Sequence, residues 1–322
     1  MKFEDVKSIL IIGIEGGLAK IMAGLLAKKY PTAKIFGVDS RPIKNVPDFK
    51  NIKYKTIHYS RGSFENLFRS HQFDVVMHLG RLSHVTKTTA TEIAKRLNLN
   101  VMGTNKILDL CLDYNVKKVV ILSTFHVYGA FNDTAVFLKE DTPLRASIKH
   151  PELRDVVEMD QISTNWMWKN KNTIETNVFR PCNIIGPQIK NAMSRYLSSN
   201  KVPMPIDFNP MFQFIHEFDM ANILCESIEK VPTGLYNIAT NEVISINEAK
   251  KATGTKSIPI PFFLIDTLLK MLNKTFFPIP AYLIEYFKFS CLLDNSELQK
   301  HLGDDFYRYN IRDTLSLFKN LY

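Results

Sequence analysis

Short apolar runs alternate with amphipathic stretches along the first two thirds of the chain. The first run is too short for a buried helix, and as a group the runs are too apolar for strands that face water. The stretches between the runs repeat their apolar residues at helical spacing. The pattern predicts strands at 8–12, 34–38, 52–58, 75–79, 118–122 and 176–179. It predicts the intervening helices at 17–29, 64–70, 90–97 and 101–114.

Buried strands that alternate with helices are typical of a parallel sheet covered on both faces. We therefore predict an α/β fold with a doubly wound, mostly parallel, Rossmann-like sheet over residues 1–187. Ligands bind such sheets at the carboxyl ends of the strands, where the strand order reverses. The segments that follow the strands are therefore the expected functional segments.

The pattern changes after Pro187, where helices predicted at 191–199 and 219–229 flank a Pro-containing loop. We predict a smaller, mainly helical substrate lobe over residues 188–322, with the segment 212–240 as a candidate to return to the first domain. The segment 261–289 is rich in proline and aromatic residues, but charged residues interrupt it, so we exclude a membrane span. Two amphipathic helices are the simplest interpretation. A dimer surface, a wall for an apolar substrate and contact with a membrane surface stay open.

A glycine-rich turn follows the first predicted strand and precedes the first helix. Gly13 and Gly16 allow the backbone to turn sharply and to approach a diphosphate, whose charge then lies at the helix N-terminus. The next strand ends at Asp39, whose carboxylate can accept ribose hydroxyls and would repel a 2′-phosphate. The pair therefore indicates a site for NAD rather than NADP, and a plain strand-to-helix turn is the alternative.

Composition and charge restrict the function further. The 322 residues suffice for a large core, and the net charge of +9 fits an anionic small ligand, an anionic membrane surface or simple solubility. The basic residues are scattered, which argues against nucleic-acid binding. The cysteines are widely spaced, so we expect reduced, buried thiols in a cytoplasmic protein and no metal site. The first residues lack the apolar core of a signal peptide, so we expect no secretory leader.

Several segments together resemble the extended short-chain dehydrogenase/reductase family, in particular its NAD-dependent epimerase/dehydratase group, which acts on nucleotide sugars. The glycine turn is similar to the family's Gly-x-x-Gly-x-x-Gly, with Ala19 in the third place, and Asn-Val-Met-Gly-Thr at 100–104 is similar to the start of a family helix. The resemblance follows the family order over residues 8–240. The other matching segments in this range lie at 74–81, 119–129, 180–187, 212–221 and 234–239, and the segment 294–303 resembles the family's C-terminal helix.

The resemblance and the glycine turn together imply a set of NAD contacts. Within this set, Arg41 is expected to lie on the adenine or to pair with a phosphate. Arg81 stands where the family has small residues, and its guanidinium could bind a phosphate or carboxylate through two parallel hydrogen bonds. The expected cofactor residues are Gly13, Gly16, Gly17, Leu18, Ala19, Asp39, Ser40, Arg41, Leu79, Gly80, Arg81, Asn100, Ser123 and Pro181.

The resemblance fails at the catalytic residues. Family enzymes use a Ser or Thr, a Tyr and a Lys, and Thr124 matches the first of these. No tyrosine occurs between Tyr128 and Tyr196, and Met159 and Ser163, or residues within a turn of them, replace the Tyr-x-x-x-Lys pair. The Asp-Glu pair that the family's dehydratases carry after the Thr is absent, because Phe125 and His126 stand there. The usual mechanism is therefore missing.

His126 is the best remaining candidate for an acid or base, because it follows Thr124 and an imidazole titrates near neutral pH. A packed imidazole with no catalytic role is the alternative. Glu158 and Asp160 are lesser candidates on the helix that lacks the tyrosine. The resemblance and the positions after strands suggest the substrate-binding residues His84, Tyr128, Asn183, Arg195 and His216.

Two functions remain open. In the first, the chain is a cytoplasmic NAD-dependent enzyme that carries out redox or epimerase-type chemistry on a nucleotide sugar or a related anionic metabolite, with a non-standard proton donor. In the second, it keeps the fold and NAD but has lost turnover, and it acts as a structural or regulatory protein. A homodimer is compatible with both functions.

Overall fold

Alternating strands and helices form the computed structural model, which describes residues 6–80, 90–265, 280, 282–303 and 306–320. The strands in this part are β1 (Ser8–Ile12), β2 (Lys34–Asp39), β3 (Ile52–Thr56), β4 (Val75–His78), β5 (Lys118–Leu122), β6 (Phe137–Leu138), β7 (Glu175–Pro181), β8 (Asn183–Ile185), β9 (Val202–Pro205), β10 (Met211–Phe212), β11 (Phe214–His216), β12 (Gly234–Ile238), β13 (Ile244–Ser245), β14 (Ser257–Ile260) and β15 (Leu292–Leu293). The α-helices are α1 (Gly17–Lys29), α2 (Arg61–Ser70), α3 (Ala90–Arg96), α4 (Gly103–Asp113), α5 (Ala146–Lys149), α6 (Arg154–Asn170), α7 (Ala192–Ser198), α8 (Glu217–Lys230), α9 (Ile246–Ala252), α10 (Leu283–Tyr286), α11 (Ser296–Leu302) and α12 (Ile311–Ser316).

Seven parallel strands form the central sheet in the order β12-β7-β5-β4-β1-β2-β3. The order reverses at β1, whose two neighbours are β2 and β4, so the predicted doubly wound, Rossmann-like sheet is confirmed. The chain returns to this sheet through β12, which pairs with β7 at its edge. The reversal places the carboxyl ends of β1, β2, β4 and β5 around one crevice.

Both faces of the sheet are buried at its central strands, which explains why β1 and β4 are mostly apolar, whereas the edge strand β3 is largely exposed. Ile9 and Ile11 of β1 pack on one side, where α1 and α8 cover the sheet. Leu10 and Ile12 pack on the other side with residues of α2 and α4. A strand with helices on both faces has no solvent side and therefore no polar alternation.

A widened helical turn separates α3 from α4. Leu97–Met102 is a π-helix, and both residues that flank it have right-handed helical dihedral angles, so the backbone runs continuously from Ala90 to Asp113. The sequence pattern predicted two separate helices here. Single π turns are frequent at functional sites, and this one contains Asn100.

The chain beyond β7 combines helices with short strand pairs. The predicted helices 191–199 and 219–229 correspond to α7 and α8. The pairs β8–β11, β9–β14, β10–β13 and β6–β15 were not predicted, because strands of two to four residues are too short to show a period. The four cysteines are buried free thiols, as expected. Among the described residues, no helix has both the length and the apolar character that crossing a bilayer requires.

Candidate functional site

The glycine turn brings the ends of β1 and β4 into backbone contact. Gly13 has a φ of +92°, and a Cβ atom at this position would lie 2.5 Å from the Cα of Gly80. The amide of Gly13 donates to the carbonyl of Val38, 2.8 Å away, which ties the turn to β2. Helix α1 begins at Gly17 with no acidic residue in its first turn. Its N-terminal amides and the positive end of its dipole therefore favour an anion.

Asp39 ends β2 beside this turn, but Arg41 already engages its carboxylate. Oδ1 accepts from the amide and Nε of Arg41, both at 2.9 Å. Oδ2 accepts from the amide of Glu15 at 2.9 Å and from Nη2 of Arg41 at 2.8 Å. Burial alone would raise the pKa of Asp39, but these hydrogen bonds and the guanidinium hold it below its usual value. The sequence analysis expects Arg41 to lie on the adenine or to pair with a phosphate. In the structure, Arg41 instead pairs with Asp39.

A cavity of about 510 Å³ extends from the turn past Asp39. One wall is apolar and comes from the region after β3, where Ile57, Tyr59 and Phe64 lie. The other wall comes from the helical run around the π turn and carries Glu92, Lys95 and Arg96. Seven of the predicted cofactor residues besides Asp39 line this first cavity: Gly13, Gly16, Ser40, Arg41, Leu79, Gly80 and Asn100.

Asn100 also lines the first cavity, and its amide is engaged with α6. Its Nδ2 donates to Oδ2 of Asp155 at 2.6 Å, and Arg96 forms an ion pair with the same oxygen at 3.6 Å. All three side chains are buried. The side-chain amide of Asn100 therefore has a structural role, because it joins the cavity wall to α6. Its expected contact with the cofactor stays a prediction.

A second cavity, of about 300 Å³, lies at the carboxyl ends of β5 and β7. Thr124 and His126 line it where β5 ends, and Asn183 and Arg195 line it from the opposite side. Gly16 lines both cavities, so they meet at the glycine turn. The other predicted residues on its walls are Gly17, Leu18 and Pro181.

Thr124 and His126 form a hydrogen-bonded pair in the second cavity. Thr124 Oγ1 lies 2.9 Å from Nδ1 of His126, and Thr124 also caps the short 3-10 turn Phe125–Val127. The imidazole packs edge-on against Tyr282 and Tyr286, with ring centroids 5.3 and 5.2 Å away. A hydroxyl and an imidazole at hydrogen-bond distance can together hold or move one proton.

Four of the predicted residues are turned away from both cavities. Tyr128 is buried, and its hydroxyl donates to Oδ1 of Asn237 at 2.8 Å and accepts from Arg180. His216 caps α8 through the amide of Phe218 and stacks on Tyr309, and burial lowers its pKa to about 4. Ser123 donates to the buried carboxylate of Asp160, and Ala19 packs in the core. The expected substrate contacts of Tyr128 and His216 do not match these positions, because both side chains have partners in the interior.

The remaining two predicted residues, Arg81 and His84, lie outside the described residues.

Helix α6 presents Val156 to the second cavity, rather than Met159 or Ser163. Met159 is buried and lines neither cavity, and the Ser163 hydroxyl donates to the Met159 carbonyl at 2.7 Å. One turn after Val156, Asp160 accepts from Nε of Arg180 at 2.9 Å and pairs with its Nη2. The cavity therefore receives neither a phenol nor an ammonium group from this helix.

Residues that the sequence analysis did not select also shape the site. Gln188 lies in the loop after β8, and its carbonyl oxygen would overlap a Cβ atom at Gly17, so this loop rests on the glycine turn. Glu217 holds the loop, because its Oε2 accepts from the amide of Gln188 at 2.9 Å. Tyr59 follows β3 and faces the first cavity. The rule that ligands meet strand ends would have selected Tyr59, whereas nothing in the local sequence identifies Glu217.

The loop anchor makes stability depend on pH. Burial raises the pKa of Glu217 from 4.5 to about 7, although hydrogen bonds from Gln188 and Ile189 oppose the rise. As the pH rises, Glu217 loses its proton in the unfolded chain before it does so in the folded chain. The stability that is present below pH 4.5 is therefore lost as the pH rises through about 7. We expect the thermal midpoint of wild type, relative to that of Glu217→Gln, to fall between about pH 5 and about pH 8. An equal difference at both pH values would contradict this assignment.

Comparison with known proteins now identifies the class. The model of the NAD dependent epimerase/dehydratase family matches residues 9–239, so the chain belongs to this family. The resemblance noted in the sequence is thereby confirmed. An uncharacterized protein of Mycobacterium tuberculosis is 24% identical over 241 residues, which cover 74% of this chain and 63% of that protein. The match therefore spans less than two thirds of that relative.

Solved structures share the fold over nearly the whole chain. The dTDP-glucose 4,6-dehydratase from Bacillus anthracis, in complex with NAD, has a TM-score of 0.75 and 18% identity, with 98% of this chain and 96% of that chain covered. The UDP-glucose 4-epimerase from Thermotoga maritima, with UDP-glucose, has a TM-score of 0.73 and 18% identity, with 98% of each chain covered. At these identities the likeness shows the fold.

Proposed function

We propose that the chain binds NAD across the two cavities and carries out redox or epimerase-type chemistry on a nucleotide sugar or a related anionic metabolite. The observation that supports this most is the meeting of the two cavities at Gly16, with a hydrogen-bonded Thr–His pair in the second. Membership of the NAD-dependent family supports the cofactor. Relatives described as UDP-glucose 4-epimerase and as dTDP-glucose 4,6-dehydratase support the substrate class.

The residues around the first cavity fit an adenine dinucleotide. The contact between Gly13 and Gly80 leaves room for no side chain, and the first turn of α1 offers its amides to a diphosphate. Asp39 can hold the adenosine ribose once Arg41, whose side chain is 57% exposed, moves aside. A bound NAD would supply a hydride acceptor at the second cavity.

The second cavity carries the groups that an anionic sugar nucleotide needs. Lys190 and Arg195 line it and can neutralise a diphosphate. The amide nitrogen of Asn183 is held 3.3 Å from the carbonyl of Gln213, which leaves its oxygen to orient a sugar hydroxyl. Thr124 would orient the reacting hydroxyl, and His126 would take its proton. Helix α6 contributes no alternative group to this cavity.

One observation favours the second candidate function, a catalytically silent NAD-binding protein. Val156, which lines the second cavity, cannot transfer a proton. The carboxylate of Asp160, one turn later, forms an ion pair with Arg180 and is not free to act as an acid or base. A protein with a structural or regulatory role would keep the first cavity and show no turnover.

We further propose a cytoplasmic location, which the four buried free cysteines support.

We also propose a contact surface in the segment 261–289, most of which lies outside the described residues. The exposure of Phe263, 71%, and of Leu264, 39%, supports it. A homodimer interface and a membrane surface are the two occupants proposed for it.

Titration calorimetry with NAD and NADP, followed by a screen for turnover of UDP- and dTDP-sugars, tests the proposal. NAD should bind more tightly than NADP, and Asp39→Ala should weaken NAD binding. Failure of NAD to bind would refute the cofactor site. NAD binding without turnover of any nucleotide sugar would favour the silent protein.

A further inference from the structure

Tyr59, which lines the first cavity, has a hydroxyl with no hydrogen-bond partner among the described residues. Tyr59 lies just after β3 and lines the cavity, and its hydroxyl oxygen is buried. Among the described residues, nothing donates to this oxygen or accepts from it. Buried hydroxyls nearly always have partners, because an unpaired one has lost its water without replacement. The hydroxyl is therefore available to a polar group of a ligand.

Packing fixes the direction of this side chain. The ring of Tyr59 meets the ring of Phe64 edge-on, with centroids 5.0 Å apart. On its other side, Cε1 lies so near the backbone that a Cβ atom at Gly103 would be 2.5 Å from it. Gly103 leads into α4 directly after the π turn. Since α2 and α4 hold the ring on both sides, the hydroxyl cannot easily turn toward another partner.

The residues that share the cavity with Tyr59 indicate which part of a dinucleotide its hydroxyl would meet, namely the adenosine half. Asp39 lines the same cavity, and its charge adds to burial in raising the pKa of Tyr59, so the phenol stays protonated. Asp39 marks the adenosine ribose, and the group attached to that ribose is the adenine. The apolar side chains of Ile57 and Phe64 line the cavity beside Tyr59 and suit the faces of a flat base.

Resting on the proposed function, we propose that the Tyr59 hydroxyl forms a hydrogen bond with the edge of the adenine base. A phenol can donate to a ring nitrogen of adenine or accept from its amino group. Tyr59 thus contributes to the affinity for the adenosine half and takes no part in the reaction. The bond satisfies a hydroxyl that the ligand-free protein leaves unpaired.

This proposal predicts opposite effects of Tyr59→Phe on binding and on stability. The variant should bind NAD and ADP-ribose about three- to tenfold more weakly, by the same factor, because both ligands share the adenosine. The ligand-free variant should have a thermal midpoint equal to or above that of wild type, because it loses an unsatisfied buried group. Calorimetry and thermal unfolding measure the two effects.

Tyr54→Phe is the matched control. The Tyr54 hydroxyl donates to the carbonyl of Pro47 at 2.6 Å, and Tyr54 lines neither cavity. Its removal should lower the thermal midpoint and leave the affinity for NAD unchanged. Unchanged affinity of Tyr59→Phe for either ligand would overturn the proposal, and so would a lowered midpoint, since it would reveal a partner in the free protein. Wild type that binds neither ligand would overturn the cofactor site as well.

Discussion

Asp160→Asn is expected to destabilise the fold by about 3–5 kcal/mol, because it removes one charge from a buried ion pair. Asp160 is fully buried and accepts from Ser123 and from two nitrogens of Arg180. Asparagine preserves the shape but leaves the buried guanidinium without a counter-charge. Arg180 also donates to the Tyr128 hydroxyl, which in turn donates to Asn237 of the edge strand β12, so the loss reaches the edge of the sheet. Urea unfolding at neutral pH measures the effect.

Glu158→Gln on the same helix is the control for this prediction. Glu158 pairs with Arg154 one turn earlier, and both side chains are accessible to solvent. This variant should unfold at nearly the wild-type urea concentration, because exposed pairs contribute little. An unchanged midpoint for Asp160→Asn would show that the buried pair contributes no net stability.

His126→Asn is expected to lower the turnover of a nucleotide sugar about 10²- to 10⁴-fold, the usual contribution of a positioned acid or base. Asparagine can reproduce the contact of Nδ1 with Thr124 but cannot carry the proton. Affinity for NAD should largely persist, because Asp39 and the glycine-turn residues that would hold the ribose and the diphosphate line the first cavity, which His126 does not line. Steady-state kinetics and calorimetry on the same preparations separate the two effects.

His216→Asn is the matched histidine control. His216 caps α8 and lines neither cavity, and asparagine is itself a good N-cap residue. This variant should keep the wild-type turnover. Wild-type rates in His126→Asn would refute the role of the imidazole and would require another group to carry the proton.

Much of the site is predictable because parallel strands bring distant segments to one edge. The rule that ligands meet the carboxyl ends of strands selected Gly13, Asp39, Thr124 and Asn183, and all four line the cavities. Their chemical roles stay predictions. The rule works without any knowledge of packing, since the order of strands and the positions of their ends suffice.

The orientation of a helix is harder to predict. Alignment placed Met159 and Ser163, or residues within a turn of them, at the catalytic positions, and Val156, less than one turn before Met159, is the α6 residue that lines the cavity. Which face of α6 meets the site depends on how the helix packs against its neighbours, and a shift of one residue turns a helix by about 100°. The pairing of Arg41 with Asp39 was missed for a similar reason, because the direction of a long side chain depends on its surroundings in the fold.

The loop after β8 has a consequence for the time a ligand stays bound. A dinucleotide that reaches both cavities would pass Gly16, next to the contact between Gly17 and the carbonyl of Gln188, so we expect the loop to shift when the ligand enters or leaves. Glu217 resists this movement through its bond to Gln188. We therefore expect residence time and affinity to be separable in this protein. Changes at Glu217 should alter how long a cofactor remains, whereas changes at Asp39 should alter how tightly it is held.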